Sequence, residues 1–125
     1  MKNWQFLNVK FAEMLLKCCA RAGELFCCGA PMQKFPENSV DTSGEKHLPV
    51  AEKSTRGTKI SVGSAAHPMD ENHFIEWIEI TDEFGKISKK FLQPGDAPTA
   101  EFCAAKILSA RAFCNLHGIW KIENF

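Results

Sequence analysis

From residue 58 onward, turn residues cut the chain into short extended runs, and this limits the fold more than any other feature. "TKISVGS" (58–64) alternates Ile60 and Val62 with polar neighbours, and "HFIEWIEI" (73–80) is rich in β-branched and aromatic residues. "KKFLQ" (89–93), "AEFCAA" (100–105) and "ARAFCNL" (110–116) follow, with Gly85, Pro94-Gly95 and Pro98 as turn signals. A strand that alternates apolar and polar side chains needs a second layer over its apolar face. Several such strands at close spacing therefore predict an all-β sandwich or barrel and not a parallel α/β sheet. "AAKILSARAF" (104–113) also accepts a helical reading, and both stand for that segment.

The first 35 residues read differently. Trp4, Leu7, Phe11, Met14 and Cys18 recur at steps of three and four, the stripe of a short amphipathic helix. Gly23 and "CCGAP" (27–31) break it into turns, and residues 36–56 are polar, a linker or long loop carrying "GEKHLPV" (44–50). The expected organisation is residues 1–35 as an N-terminal helix and Cys-pair segment and residues 36–125 as a β domain. The apolar stripe is expected to pack on the chain's own sandwich, with covering the cysteine region or joining a dimer interface as the alternatives.

Fifteen basic and fifteen acidic side chains cancel, so no whole-molecule field draws the chain to nucleic acid or an anionic membrane. Attraction for a small anion must be local. Lys10, Glu13 and Lys17 interrupt the N-terminal apolar residues short of the ~7–15 of a signal-peptide core. No run approaches the roughly 20 apolar residues of a membrane span. A soluble, cytoplasmic protein without nucleic-acid or membrane partners is expected. In a reducing compartment its six cysteines point to metal binding, redox chemistry or burial more than to disulfides.

The chain holds four histidines, all within "EKHLPV" (45–50), "HPMDENHFIEW" (67–77) and "CNLHGIW" (114–120). Pro68 turns the chain after His67, so His67 and His73 flank a loop. On an extended strand His73, Ile75 and Trp77 share a face, which keeps that imidazole neutral and partly dry. Cys114 and His117, three apart before Gly118, are brought together by a tight turn. A thiolate with imidazoles suits zinc, copper or iron. Each histidine taken alone reads more readily as a surface or satisfied core residue than as a ligand. Together, five donors exceed the four of a closed zinc site and leave an octahedral ion one open position for a small molecule. Met69 and Trp77 read as core residues shielding the metal, and Cys103 as a buried structural residue.

The pieces "EKHLPV", "VGSAAHPMDENHFIEWIEI" (62–80), "FLQPGDAPTAEF" (91–102) and "CNLHGIW" occur in an order and spacing that resemble the superoxide reductases, the family of the desulfoferrodoxins and neelaredoxins. The resemblance covers about residues 36–121. It implies a seven-stranded immunoglobulin-like β-sandwich holding one mononuclear non-haem iron, with His47, His67, His73 and His117 as equatorial ligands and Cys114 as axial thiolate. It further implies one-electron reduction of superoxide to hydrogen peroxide without oxygen release. Lys46 would attract the anion and Glu45 would close the sixth position in the oxidised resting state. The thiolate would donate charge toward iron, moderated by backbone N–H groups near Leu116 and His117. Rubredoxin or a similar small carrier would donate electrons, and a homo-oligomer, dimer or tetramer, is expected. The alternatives are a non-catalytic iron electron-transfer protein and a zinc-stabilised interaction domain.

The N-terminal segment departs from the desulfoferrodoxin pattern. "FCCGAPM" (26–32) resembles the second half of its N-terminal metal motif, but Cys18-Cys19 stands in place of the expected Cys-x-x-Cys. Three readings stay open for Cys18, Cys19, Cys27 and Cys28: a [4Fe-4S] cluster passing electrons, a single iron or zinc, or a remnant binding nothing.

Overall fold

The computed structural model describes residues 5–9, 14–18, 23–39 and 46–123, divided between two compact units, Met1–Pro36 and Glu37–Phe125. Strands and no helix occur among the described residues. The all-β expectation holds, and no helix long and apolar enough to cross a membrane occurs among these residues.

The first unit contains β1 (Gln5–Val9), β2 (Met14–Cys18), β3 (Phe26–Cys27), β4 (Ala30–Pro31) and β5 (Gln33–Lys34). Here the expected N-terminal helix is corrected: β1 pairs antiparallel with β2, Gln5 opposite Cys18 and Val9 opposite Met14. β5 adds on the other side of β1. The apolar residues of "QFLNV" and "MLLKC" are nearly continuous, so a helical stripe threads them as easily as a strand does. Pairing with β5, which local spacing does not reveal, decides for the sheet. Phe6 is buried, its carbonyl accepts the Phe35 N–H at 2.6 Å, and Lys17 Nζ lies 5.5 Å from its ring centroid. Trp4 and Phe11 lie outside the described residues.

The second unit contains β6 (Glu37–Asn38), β7 (Pro49–Ser54), β8 (Gly57–Val62), β9 (Ile75–Asp82), β10 (Ile87–Phe91), β11 (Thr99–Phe102), β12 (Ile107–Cys114) and β13 (Gly118–Glu123). Their order is β10-β9-β12-β13-β6 in one sheet and β11-β8-β7 in the other. β7 to β13 form the two layers, and β6 is a two-residue parallel addition to β13. The polar 36–56 stretch thus holds β6 and β7 as well as loop. "AAKILSARAF" resolves as strand β12, because its alternation buries Ala110 and Ala112 inward.

One apolar cluster joins the layers: Ile60, Val62, Ala100 and Phe102 from the three-stranded sheet meet Ile78, Ile80, Ala110 and Ala112 from the other. Burying an aliphatic side chain contributes roughly 1.5–3 kcal/mol, so this cluster is what holds the sheets face to face. The outer face of the five-stranded sheet carries a charge ladder. Glu79 is buried opposite Lys89 (Nζ–Oε2 3.2 Å) and Arg111 (Nη1–Oε1 3.3 Å). Glu37 takes Arg111 Nε at 2.8 Å and Lys121 Nζ at 3.5 Å, which ties β6 to the sheet. Cys103, expected inside, is exposed: β11 ends at Phe102, whose side chain points inward, and the next residue faces out.

Candidate metal centre

Five donors collect where β7, β9 and β13 begin and β8 and β12 end. His47 precedes β7, His67 follows β8, His73 precedes β9, Cys114 ends β12, and His117 sits in the turn before β13. Two local features of the backbone put them there. Gly63 has φ +82°, and its N–H donates to the Leu48 carbonyl at 2.8 Å. A Cβ at that position would lie 2.5 Å from the Lys46 carbonyl oxygen, so glycine lets the segment carrying His47 lie against the end of β8. On β9 and β12 the register shifts between Phe113–Trp77 and Cys114–Ile75. This bulge turns Ile75 and Cys114 into the core while Trp77 and Phe113 stack on the other face, ring centroids 5.7 Å apart. Ile75 and Trp77 therefore do not share the face expected of them, and Trp77 packs with Phe113 and Lys89, not over the histidines. Met69 is half-buried against the core, its Sδ accepting the Ile75 N–H at 3.4 Å.

The ligand atoms of His47, His67, His73, Cys114 and His117 all lie within 4.8 Å of one another. The four imidazoles close a ring with nearly equal sides: 4.9 Å from His47 to His67, 4.7 Å on to His73, 5.0 Å to His117 and 4.7 Å back to His47. Cys114 Sγ lies 3.6 Å from His117 Nδ1, and His47 Nε2 lies 3.0 Å from the same nitrogen. His67 Nε2 and His73 Nε2 are buried with no hydrogen-bond partner. An unsatisfied buried polar atom costs about 1–3 kcal/mol. A cation at the centre of the ring removes that cost by taking the lone pairs, so the residues fit one metal ion with four nitrogens and one sulfur, a donor set suited to a transition metal.

The surroundings orient these donors. His67 Nδ1–H donates to the Pro68 carbonyl at 2.7 Å, which fixes the tautomer with its Nε2 lone pair free. Trp120 stacks on His47, 4.7 Å between centroids at 16°, and its Nε1–H donates to the His117 carbonyl at 3.1 Å. Burial pushes His67 down to about 4, with the Pro68 carbonyl opposing and the other imidazoles reinforcing. Burial also lowers His73, aided by His117 and His47. Both are thus neutral ligands near pH 7. Burial pushes the Cys114 thiol up, while the N–H groups of Leu116 and His117 pull it back. His47, His67 and Cys114 are buried but His117 and Lys46 are exposed, so a small molecule reaches the donors from that side.

The family model for desulfoferrodoxin matches residues 39–123, a span that holds all five donors. The chain belongs to the desulfoferrodoxin family. A desulfoferrodoxin of Nitratidesulfovibrio vulgaris is 56% identical over 106 residues, covering 83% of this chain and 82% of that protein. One from Syntrophotalea carbinolica is 52% identical over 103 residues, covering 82% and 81%. Among solved structures, the superoxide reductase from Treponema pallidum superposes with a TM-score of 0.81 at 33% identity, covering 98% of this chain and all of that one. A neelaredoxin superoxide reductase from Archaeoglobus fulgidus in the reduced form gives 0.54 at 28% identity over 70% of this chain and 95% of its own.

Within this desulfoferrodoxin fold the five donors named from sequence meet, and Lys46 lies on the exposed side next to His47. Glu45 lies outside the described residues. Of the N-terminal cysteines, the structure describes the side chains of Cys27 and Cys28. Cys27 and Cys28 sit at a two-residue hairpin turn with their sulfurs 3.8 Å apart. Cys19 and the side chain of Cys18 lie outside what is described, and no second group of three metal donors occurs among the described residues. Reasoning from sequence missed Gly63, Asn115 and Trp120 as parts of the site. Gly63 was readable in principle, since a glycine closing an alternating run signals close backbone approach.

Proposed function

We propose that this protein is a superoxide reductase whose iron is held by His47, His67, His73, His117 and Cys114. The closed ring of four imidazoles beside a buried thiol, with one side open to solvent, carries this reading. Iron in that site supplies one electron to superoxide, which with two protons becomes hydrogen peroxide without release of oxygen.

The chain's own residues do the rest. Lys46 puts a cation at the open side of a neutral protein and raises encounter with a small anion. Cys114 donates charge from the buried side, and the N–H groups of Leu116 and His117 limit that donation. Trp120 and the Pro68 carbonyl keep the rings from turning as ligand charge changes. Glu45, by the family resemblance of its Glu-Lys-His motif, would close the open position in the oxidised state. Electrons come from a small carrier such as rubredoxin, and the working form is a homo-oligomer in the cytoplasm. An electron-transfer protein needs no open side, so the exposure of Lys46 and His117 favours the enzyme over that alternative. A [4Fe-4S] cluster on Cys18, Cys19, Cys27 and Cys28 has no support among the described residues, which include the sulfurs of Cys27 and Cys28.

The test is iron and acid-labile sulfide analysis of anaerobic protein, followed by reaction of the reduced form with superoxide. One iron per chain without sulfide, a red thiolate-to-iron band on oxidation, and peroxide without oxygen are expected. Zinc in place of iron, or oxygen release, would overturn the reading; sulfide with extra iron would reinstate the cluster.

A further inference from the structure

The loop that carries Cys114 and His117 is fastened to the loop that carries His73 by a single residue. Asn115 Oδ1 accepts the Phe74 N–H at 3.0 Å, and Asn115 Nδ2 donates to the Asn72 carbonyl at 3.1 Å. The Asn115 main-chain N–H also donates to the Phe74 carbonyl at 3.2 Å. These three bonds embrace the main chain on both sides of His73. Asn115 is exposed and contributes no apolar burial, so its side chain is spent on this fastening alone.

We infer that Asn115 is a positioning residue for the metal centre: it fixes the His73 loop against the Cys114–His117 turn so that their donors are held at one point before metal arrives. Few other side chains fill this place. It calls for one acceptor and one donor at the end of a short stem, which is the asparagine amide. Aspartate keeps the acceptor but sets an oxygen against the Asn72 carbonyl; alanine keeps only the main-chain bond. His73 needs such a brace, because it lies outside β9 and its own local tie is the two-way main-chain bridge between Asp70 and His73, at 2.9 and 3.1 Å. His67, by contrast, has its ring nitrogen held by Pro68. Ligands already in place bind metal more tightly than ligands that must be gathered.

The inference rests on the metal-site reading above, and one experiment separates the two. Ferrous-iron affinity of the full chain is measured by chelator competition, alongside the thermal midpoint of the metal-free protein and the thiolate-to-iron band of the oxidised form. For Asn115→Ala, iron affinity should fall roughly tenfold and the band should shift or broaden. The comparison variant is Asp82→Ala. Asp82 Oδ1 accepts the Phe84 and Lys86 N–H groups, each at 2.9 Å, at the other end of β9. Like Asn115→Ala, this variant removes two bonds between a side chain and the main chain, and it should lower the thermal midpoint while leaving iron affinity and the band unchanged. If Asn115→Ala behaves like Asp82→Ala, with affinity within about twofold of the unaltered protein, Asn115 is an ordinary loop brace and the inference fails. Should Asn115→Ala not fold, Asn115→Asp replaces it with an intermediate affinity expected; failure of both to fold makes Asn115 a determinant of folding and also overturns the inference. An unaltered protein that takes up no ferrous iron would instead sink the metal-site reading itself.

Discussion

Cys114 and the Cys27–Cys28 pair both stand at the tips of antiparallel hairpins, yet a metal would meet them very differently. Cys114 ends an eight-residue strand, is fully buried, and has the imidazole of His117 from its own turn and those of His47, His67 and His73 from distant parts of the chain converging beside it. Cys27 ends a two-residue strand and Cys28 opens the turn to another, Cys28 is exposed, and the two sulfurs lie 3.8 Å apart. Cysteine count alone would favour the N-terminal unit. What makes a ligand is a scaffold that brings unlike donors from distant parts of the chain to one point and leaves lone pairs such as those of His67 Nε2 and His73 Nε2 unsatisfied there.

The strongest way to break this contrast is to remove the sulfur from the scaffolded site. Cys114→Ser should abolish the thiolate-to-iron band and superoxide reduction together, read by visible spectroscopy and by peroxide yield. A serine hydroxyl is not deprotonated as readily and does not donate charge as a thiolate does. Retention of both signals would disprove the ligand role of Cys114. Next in size is Gly63→Ala, which attacks the scaffold while leaving every donor intact. Its Cβ would meet the Lys46 carbonyl at 2.5 Å in a backbone held at φ +82°. Strain and overpacking together should cost about 2–4 kcal/mol. The thermal midpoint should fall, and with His47 displaced, iron affinity should fall as well.

That glycine also marks how far the sequence could be read. The strands after residue 57 were legible because alternation and turn residues agree there, and the five donors were legible because histidine is scarce and confined to three motifs. The N-terminal strands were not legible. "QFLNV" and "MLLKC" carry too little polar punctuation to separate period two from period 3.6, and the pairing that decides it lies with Gln33–Lys34. The bulge that separates Ile75 from Trp77 was hidden for a similar reason, since strict alternation is the default until the partner strand imposes a shift. Asn115 and Trp120 act through main-chain carbonyls and amides of other loops, and no one-dimensional spacing records such partners.

A smaller effect is expected from Lys46→Ala, which leaves ligands and scaffold alone. The iron spectrum should stay as it is, and the second-order rate with superoxide should drop by up to about tenfold at low salt, because a local cation contributes to encounter and not to ligation. Raising ionic strength should shrink the difference between variant and parent, since the Debye length falls to roughly 3 Å at 1 M salt. An unchanged rate at low salt would take the steering role away from Lys46.

The smallest effect should come from the other side of the contrast. Cys28 holds φ +52° and Gly29 φ +76°, the left-handed pair of a two-residue hairpin turn, where asparagine followed by glycine is favoured. A cysteine in that conformation is strained where asparagine tolerates it, so Cys28→Asn should leave stability unchanged or raise it by a few tenths of a kcal/mol. Combined with Cys27→Ser, it should also leave iron content, spectrum and superoxide turnover as they are, because the five donors of the candidate centre all lie elsewhere in the chain. Loss of iron, or of acid-labile sulfide from the parent protein, would show that the hairpin strain is retained for a metal. The two cysteine sites would then differ in what they bind and not in whether they bind.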